Sequence, residues 1–224
     1  MAKVAINSKK ENVHIGLVEE FGQVQFEIFP KVKNAVELFK SKDVKDILDL
    51  GCGFGWNSVF LAREGFNIWA GDICKEYIDI LRDKANKMNL KNINCKEFDM
   101  KAIPYEDNSF DAVICTSALD HGTFREINMI IDEIHRVLKP NGILITDLLS
   151  VEDQSFGIGK MIEANTFVGG RKGEEGIPHH YTDENEIIEL FKLFKEVHVC
   201  RRNYIFDLAD CEVMSQVYDI ECIK

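Results

Sequence analysis

Ile47-Leu48-Asp49-Leu50-Gly51-Cys52-Gly53-Phe54-Gly55 decides the architecture. An apolar run ends in an acid and leads straight into three glycines at alternate positions. A buried strand followed by such a turn brings the backbone close to a ligand, and the free N–H groups of a following helix face the same point. Open parallel sheets bind ligands at such strand ends. The spacing also narrows the ligand. A nicotinamide dinucleotide site wants its third glycine one residue later, where Trp56 stands, and no Gly-Lys-Ser/Thr of a phosphate loop follows.

Outward from this turn, short apolar runs alternate with helical periodicity, as in a parallel sheet with crossover helices. Strands are predicted at 44–50, 67–71, 93–98, 110–116 and 143–149, with helices at 55–63, 75–88 and 125–138. In the last helix Ile127, Ile130, Ile131, Ile134 and Leu138 share one face, and Pro140-Asn141-Gly142 stops it. A helix from Thr182, as N-cap, to Phe194 and strands at 197–205 and 215–223 close the domain. Residues 1–42 read as a mostly helical cover, in which Phe21, Phe26 and Phe29 join Trp56 as candidates for the core or a pocket wall. Between Ser150 and Tyr181 periodicity gives way to accumulated glycines, which marks a lid or substrate insertion. The chain is read as one domain over residues 1–224: cover 1–42, ligand-binding core 43–149, insertion 150–181 and closing elements 182–224.

A net charge of -11 disfavours a nucleic-acid backbone, whose binding depends on clustered Lys and Arg. A small molecule suits it better, although Arg171-Lys172 or Arg201-Arg202 can still bind an anion. The seven cysteines, an odd count without CxxC pairs, read as buried reduced thiols of a cytoplasmic protein. No leader-like segment and no run of about 18 apolar residues is present, so no membrane partner is expected. Oligomeric state leaves no mark in the sequence.

With these motifs in order, the chain resembles class I S-adenosylmethionine-dependent methyltransferases of the small-molecule, type 11/25-like kind, closely over residues 44–149. Gly53-Phe54-Gly55-Trp56-Asn57-Ser58 and the Pro178-His179-His180-Tyr181 stretch are also similar to tellurite-resistance-type methyltransferases. The resemblance implies an α/β, Rossmann-like, doubly wound fold, with a mostly parallel seven-stranded sheet and an antiparallel last strand. It implies S-adenosyl-L-methionine as cofactor. By the same resemblance Asp49 orders the glycine loop, the backbone around Gly51, Cys52 and Gly53 meets the methionine end, and Gly55 and Asn57 belong to the cofactor-binding set. Asp72, about twenty residues on, takes both ribose hydroxyls, Ile73 packs on the adenine, and Asp99 with the Met100 N–H reads the base. Cys115 and Ser117 lie beneath the sulfonium. Capping of the helix that starts near Lys75 is the other reading of Asp72.

Methyl transfer from a sulfonium is an in-line displacement, so the protein mainly positions the nucleophile, removes a proton where needed and excludes water. His121, just beyond the fourth core strand, and His179, His180 and Tyr181, after the insertion, are the candidate catalytic groups. Loop packing is the plain alternative for each. No metal is expected, because adjacent histidines lack an identifiable third ligand. Besides small-molecule methyl transfer, a non-catalytic cofactor-binding module and another enzyme class on this cofactor fold remain open.

Overall fold

The structure, a computed structural model, describes residues 2–20, 23–171, 173–208 and 211–224, with side chains at all of these except 18–20, 23–26, 207–208 and 211–212. Phe21, Lys172 and the Phe26 side chain thus lie outside the described part. In chain order the elements are β1 (Lys3–Ile15), β2 (Leu17–Glu20), β3 (Gln23–Phe26), α1 (Pro30–Ser41), β4 (Asp46–Leu50), α2 (Trp56–Arg63), β5 (Asn67–Asp72), α3 (Lys75–Lys87) and β6 (Ile93–Glu97). There follow β7 (Phe110–Cys115), α4 (Phe124–Val137), β8 (Leu138–Leu149), β9 (Lys160–Glu163), β10 (Thr166–Val168), β11 (Pro178–His180), α5 (Glu184–Leu190), β12 (Glu196–Leu208) and β13 (Cys211–Ile223).

The central sheet has the order β1-β12-β13-β8-β7-β4-β5-β6. Only β13 runs against its neighbours, wedged between β8 and β12 and antiparallel to both. The doubly wound expectation holds, with the last strand antiparallel. Side chains alternate across the sheet, so neighbours in one strand serve opposite layers. Ile47, Ala112, Ile114 and Ile143 pack with Phe39 of α1, Leu61 of α2 and Leu81 of α3. Leu48, Val113 and Leu144 pack instead with Ile131 of α4 and Phe191 beside α5. The α4 stripe has the expected spacing, and Thr123 with Glu126 forms a capping box that fixes the helix start.

Three expectations need correction. The sheet has eight strands rather than seven, because residues 3–15 form β1, parallel to β12. The supposed helical cover therefore contains a strand and the β2–β3 hairpin before α1 begins at Pro30. The reason is in the side chains: 3–6 and 11–14 alternate between exposed and half-buried, a period of two, while only 30–41 carries a helical apolar stripe. The closing helix starts one residue later than read, with Asp183 as N-cap in a capping box with Glu186.

The insertion, expected as an aperiodic lid, folds as a small antiparallel sheet in the order β11-β10-β9. Its glycines allow close crossings: a Cβ on Gly159 would lie 2.3 Å from the Val168 carbonyl oxygen. Phe156, Phe167 and Tyr181 stack edge to face beneath it, with ring centroids 5.4 to 5.9 Å apart. No helix among the described residues is long and apolar enough to cross a membrane. None of the six described cysteines is paired, and only Cys115 and Cys222 are fully buried, fewer than the apolar runs suggested.

Candidate active site

Strand β4 delivers Asp49 into the interior, where its carboxylate accepts a hydrogen bond from Ser58 Oγ on α2. This ties the strand to the helix that follows the glycine loop. Burial pushes the Asp49 carboxyl up to about 7, against the lowering effect of Ser58. The folded-state value lies above the unfolded one of 3.8. The associated stability is therefore fully present at pH values below the unfolded value and is lost as pH rises through about 7. An Asp49→Asn variant, unable to ionise, is expected to show a flatter profile of melting temperature between pH 4 and 7 than wild type. Equal slopes for the two proteins would refute this assignment.

The loop is held from below. Gly51 and Cys52 donate to the Gly71 carbonyl oxygen at 2.8 and 3.0 Å, and Gly53 donates to Asp72 Oδ2 at 2.9 Å. Asp72 Oδ1 accepts from the Cys74 N–H at 2.8 Å, at the start of α3. Asp72 is not the cap of α3, whose N-cap is Cys74, but its carboxylate ties the glycine loop to the start of that helix: each oxygen takes one backbone donor and keeps a lone pair for another. Gly51 has φ +68°, and a Cβ there would lie 2.8 Å from the Ala118 Cβ, so a side chain is barred where the cradle is narrowest.

Above the loop opens a cleft of about 560 Å³, walled by Gly51, Cys52, Gly53, Asn57, Thr116 and Ser117, with Phe29, Phe54 and Trp56 at its sides. Phe29 and Trp56 are therefore pocket walls. Asn57 Nδ2 donates to Thr116 Oγ1 at 2.9 Å. One expected contact moves by a residue. Cys115 is fully buried in the sheet core, and by strand alternation Thr116 takes its place at the cleft. Ile73 is exposed at 68%, free to cover a planar group beside Asp72. Asp99 is engaged locally, accepting from the Lys101 N–H at 2.9 Å, and Met100 Sδ lies within 3.5 Å of the position a Gly51 Cβ would occupy.

At Phe29 and Ser117 the cleft meets a chamber of about 80 Å³ lined by Asp120, His121, Asp147, Arg171 and Glu174. A wider groove of about 640 Å³ continues outward past Ser155, Arg171 and Glu174. His121 and His179 come together here, their rings edge to face at 4.8 Å. Glu174 reaches both, with Oε1 3.8 Å from His121 Nε2 and Oε2 3.0 Å from His179 Nε2. The His179 imidazole, foremost, with His121 and Arg171, holds the Glu174 carboxyl down at about 2.

His180 and Tyr181 do not belong to this group. In β11 His179 and His180 point to opposite sides, and His180 Nδ1 bonds Thr166 Oγ1 at 2.8 Å beneath Phe124. Tyr181 is fully buried in the aromatic stack, its hydroxyl donating to the Ser155 carbonyl oxygen at 3.2 Å. The structure thus places both of these catalytic candidates apart from the His121–His179–Glu174 group.

The floor of the chamber was not foreseen. Lys31, buried on α1, bonds Asp147 and lies 3.0 Å from Asp219 Oδ1, with its ammonium 4.9 Å and 5.0 Å from the Phe29 and Tyr204 ring centroids. Burial works against the charged lysine, but the two carboxylates hold its pKa above the ordinary value. Asp147 in turn accepts from the Ser117 N–H at 2.7 Å, holding that residue at φ 52°, where cleft and chamber meet. The available signal was Asp147 itself, an acid near the carboxyl end of a core strand; nothing local marks Lys31, Glu174 or Asp219.

Residues 48–146 match the family model described as a methyltransferase domain. Over this core, less than half of the chain, the sequence is similar to the S-adenosylmethionine-dependent methyltransferase class. S-adenosyl-L-methionine is the cofactor of that class, and the side-chain-free cradle at Gly51 and the spare lone pairs of Asp72 fit it. Among curated relatives, the Bacillus subtilis methyltransferase-named protein YqeM is 35% identical over 54% of this chain and 47% of its own length. The ubiquinone biosynthesis O-methyltransferase of Rickettsia akari is 26% identical over 97% of this chain and 79% of its own. The chain spans about half the length of YqeM, and 32% and 61% of the lengths of two further curated relatives. A Methanosarcina mazei S-adenosylmethionine-dependent methyltransferase superposes with a TM-score of 0.70, covering 88% of this chain and 98% of its own. At 22% identity, that likeness concerns the fold.

Proposed function

We propose that this chain transfers a methyl group from S-adenosyl-L-methionine to a small-molecule acceptor, releasing S-adenosylhomocysteine. The observation that carries the reading is the junction at Ser117 and Phe29, where the glycine-loop cleft meets a small chamber walled in part by titratable side chains. When bound, the cofactor supplies an activated methyl group, so no covalent enzyme intermediate is needed. The chain's own residues divide the remaining work. Asp72 receives the ribose hydroxyls, Gly51 to Gly53 let the backbone approach the methionine end, and Ile73, Asp99 and Met100 border the adenine. Asn57, Thr116 and Ser117 line the cleft up to the chamber.

In the chamber, Phe29 excludes water on one side, and His121, with His179 behind it, faces the acceptor as the group that meets its proton. The small volume favours a compact reacting end, while the wider groove accommodates the remainder of the acceptor. Residues 1–224 are taken as one domain acting in the cytoplasm, since six described thiols, all unpaired, suit a reducing compartment. The net charge of -11 argues against a nucleic-acid partner.

The test is incubation with methyl-labelled S-adenosylmethionine and a panel of hydroxyl, thiol and amine metabolites, with S-adenosylhomocysteine as readout. Acceptor-dependent product supports the reading. Tight cofactor binding with no turnover on any acceptor class would leave a cofactor-binding module.

A further inference from the structure

The chamber wall contains more ligating atoms than proton transfer requires. Asp120, from the loop after β7, and His121 beside it meet His179, from β11, so that one ligating atom of each lies within 4.8 Å of the others. Asp120 and His179 are buried, at 5% and 2% exposure. The imidazole of His179 is oriented from behind: Nδ1 lies 3.0 Å from the Ile177 carbonyl oxygen, and a carbonyl can only accept, so Nδ1 carries the hydrogen. In the neutral ring this leaves Nε2 as a bare lone pair. That atom is buried without a hydrogen-bond partner. Glu174 Oε2 stands 3.0 Å away. With the ring neutral, two lone-pair atoms 3.0 Å apart would face each other, so a proton or a metal ion belongs at Nε2.

We propose that Asp120, His121 and His179 form a binding site for a divalent transition-metal ion, with Glu174 next to it, on the wall of the acceptor chamber. Two imidazoles and a carboxylate are the donor set of zinc, iron(II) and manganese sites. The Nδ1–H bond to a backbone carbonyl is the outer-shell contact that aims a ligating histidine. Donor atoms about 2.1 Å from one ion stand roughly 3 to 4 Å apart, so rotation of these side chains completes the set. The three residues come from two segments that are distant in sequence, which is why adjacent histidines pointed to no metal on their own. In place of His180, the second imidazole is His121. The role of the ion rests on the methyl-transfer reading: an acceptor oxygen, nitrogen or sulfur bound to it is a better nucleophile at neutral pH. The binding itself does not depend on that reading.

The experiment is titration of the chelator-treated full chain with Co²⁺, followed by visible absorption, and with Zn²⁺, followed by calorimetry. One equivalent is expected. Both His121→Ala and His179→Ala are expected to weaken Zn²⁺ binding by about 100-fold, since each removes a primary ligand where outer-shell losses alone cost about 10- to 100-fold. Retained S-adenosylhomocysteine binding and circular dichroism would show that the variants are folded. His198→Ala, at an exposed histidine far along the chain, should bind like wild type. No stoichiometric binding, or unchanged affinity in both chamber variants, overturns the proposal. Metal binding in a protein that binds no S-adenosylhomocysteine would sustain it while removing the methyl-transfer reading.

Discussion

Replacing Asp72 with alanine is expected to weaken binding of S-adenosylmethionine and S-adenosylhomocysteine by on the order of 100-fold. The carboxylate has one oxygen on the Gly53 N–H and the other on the Cys74 N–H, and each retains a lone pair for a ribose hydroxyl. A hydrogen bond to a charged group is worth about 1.5 to 3 kcal/mol, and about 1.4 kcal/mol is a tenfold change. Losing two therefore costs at least about two decades. The glycine loop also loses the anchor at Gly53, which compounds the loss. Calorimetric titration of wild type and variant measures it, with NAD as a control that should give no heat with either protein. Unchanged affinity would remove Asp72 from the cofactor site, and with it the main contact on which the cleft assignment depends.

The largest expected effect on stability comes from Lys31→Met. The substitution nearly preserves the stem that lies between Phe29 and Tyr204 but leaves Asp147 and Asp219 facing each other without their common cation. Removing one partner of a buried ionic group typically costs about 3 to 5 kcal/mol. Arg202, with Nε 3.6 Å from Asp219, offers partial compensation. Urea unfolding of the two proteins gives the difference directly. A loss below about 1 kcal/mol would mean that water or the Arg202 side chain replaces the ammonium. Because Asp147 also holds the Ser117 N–H, the variant should in addition bind cofactor more weakly.

The sequence carried the core of the fold because its signals there are local. The strand-glycine-helix unit around Gly51 and the isoleucine stripe of α4 each contain within a few residues the reason for their own conformation. The β1 strand escaped notice because its alternation is shallow: its outward residues are mostly polar, and its inward ones, Ile15 apart, are only half-buried at a sheet edge. The insertion looked shapeless for a different reason, since its glycines serve backbone crossings between segments that become neighbours only after folding. The site divides the same way. Asp49, Asp72 and the loop glycines were legible from spacing, whereas His121 and His179 could be chosen over His180 and Tyr181 only once β11 fixed which side each faces. Lys31, Asp147 and Asp219 lie on three different elements, and no local pattern links them.

The position of β1 bears on how the protein is made. Lys3 pairs with Glu196 and Ile15 with Phe206, so β1 leaves the ribosome well ahead of its partner, which is synthesised roughly 190 residues later. Until β12 emerges, β1 has no sheet to join. A nascent chain held at residue 195 would have β4 to β8 available to assemble while its N-terminal segment stayed unpaired, open to chaperones or to a stray strand.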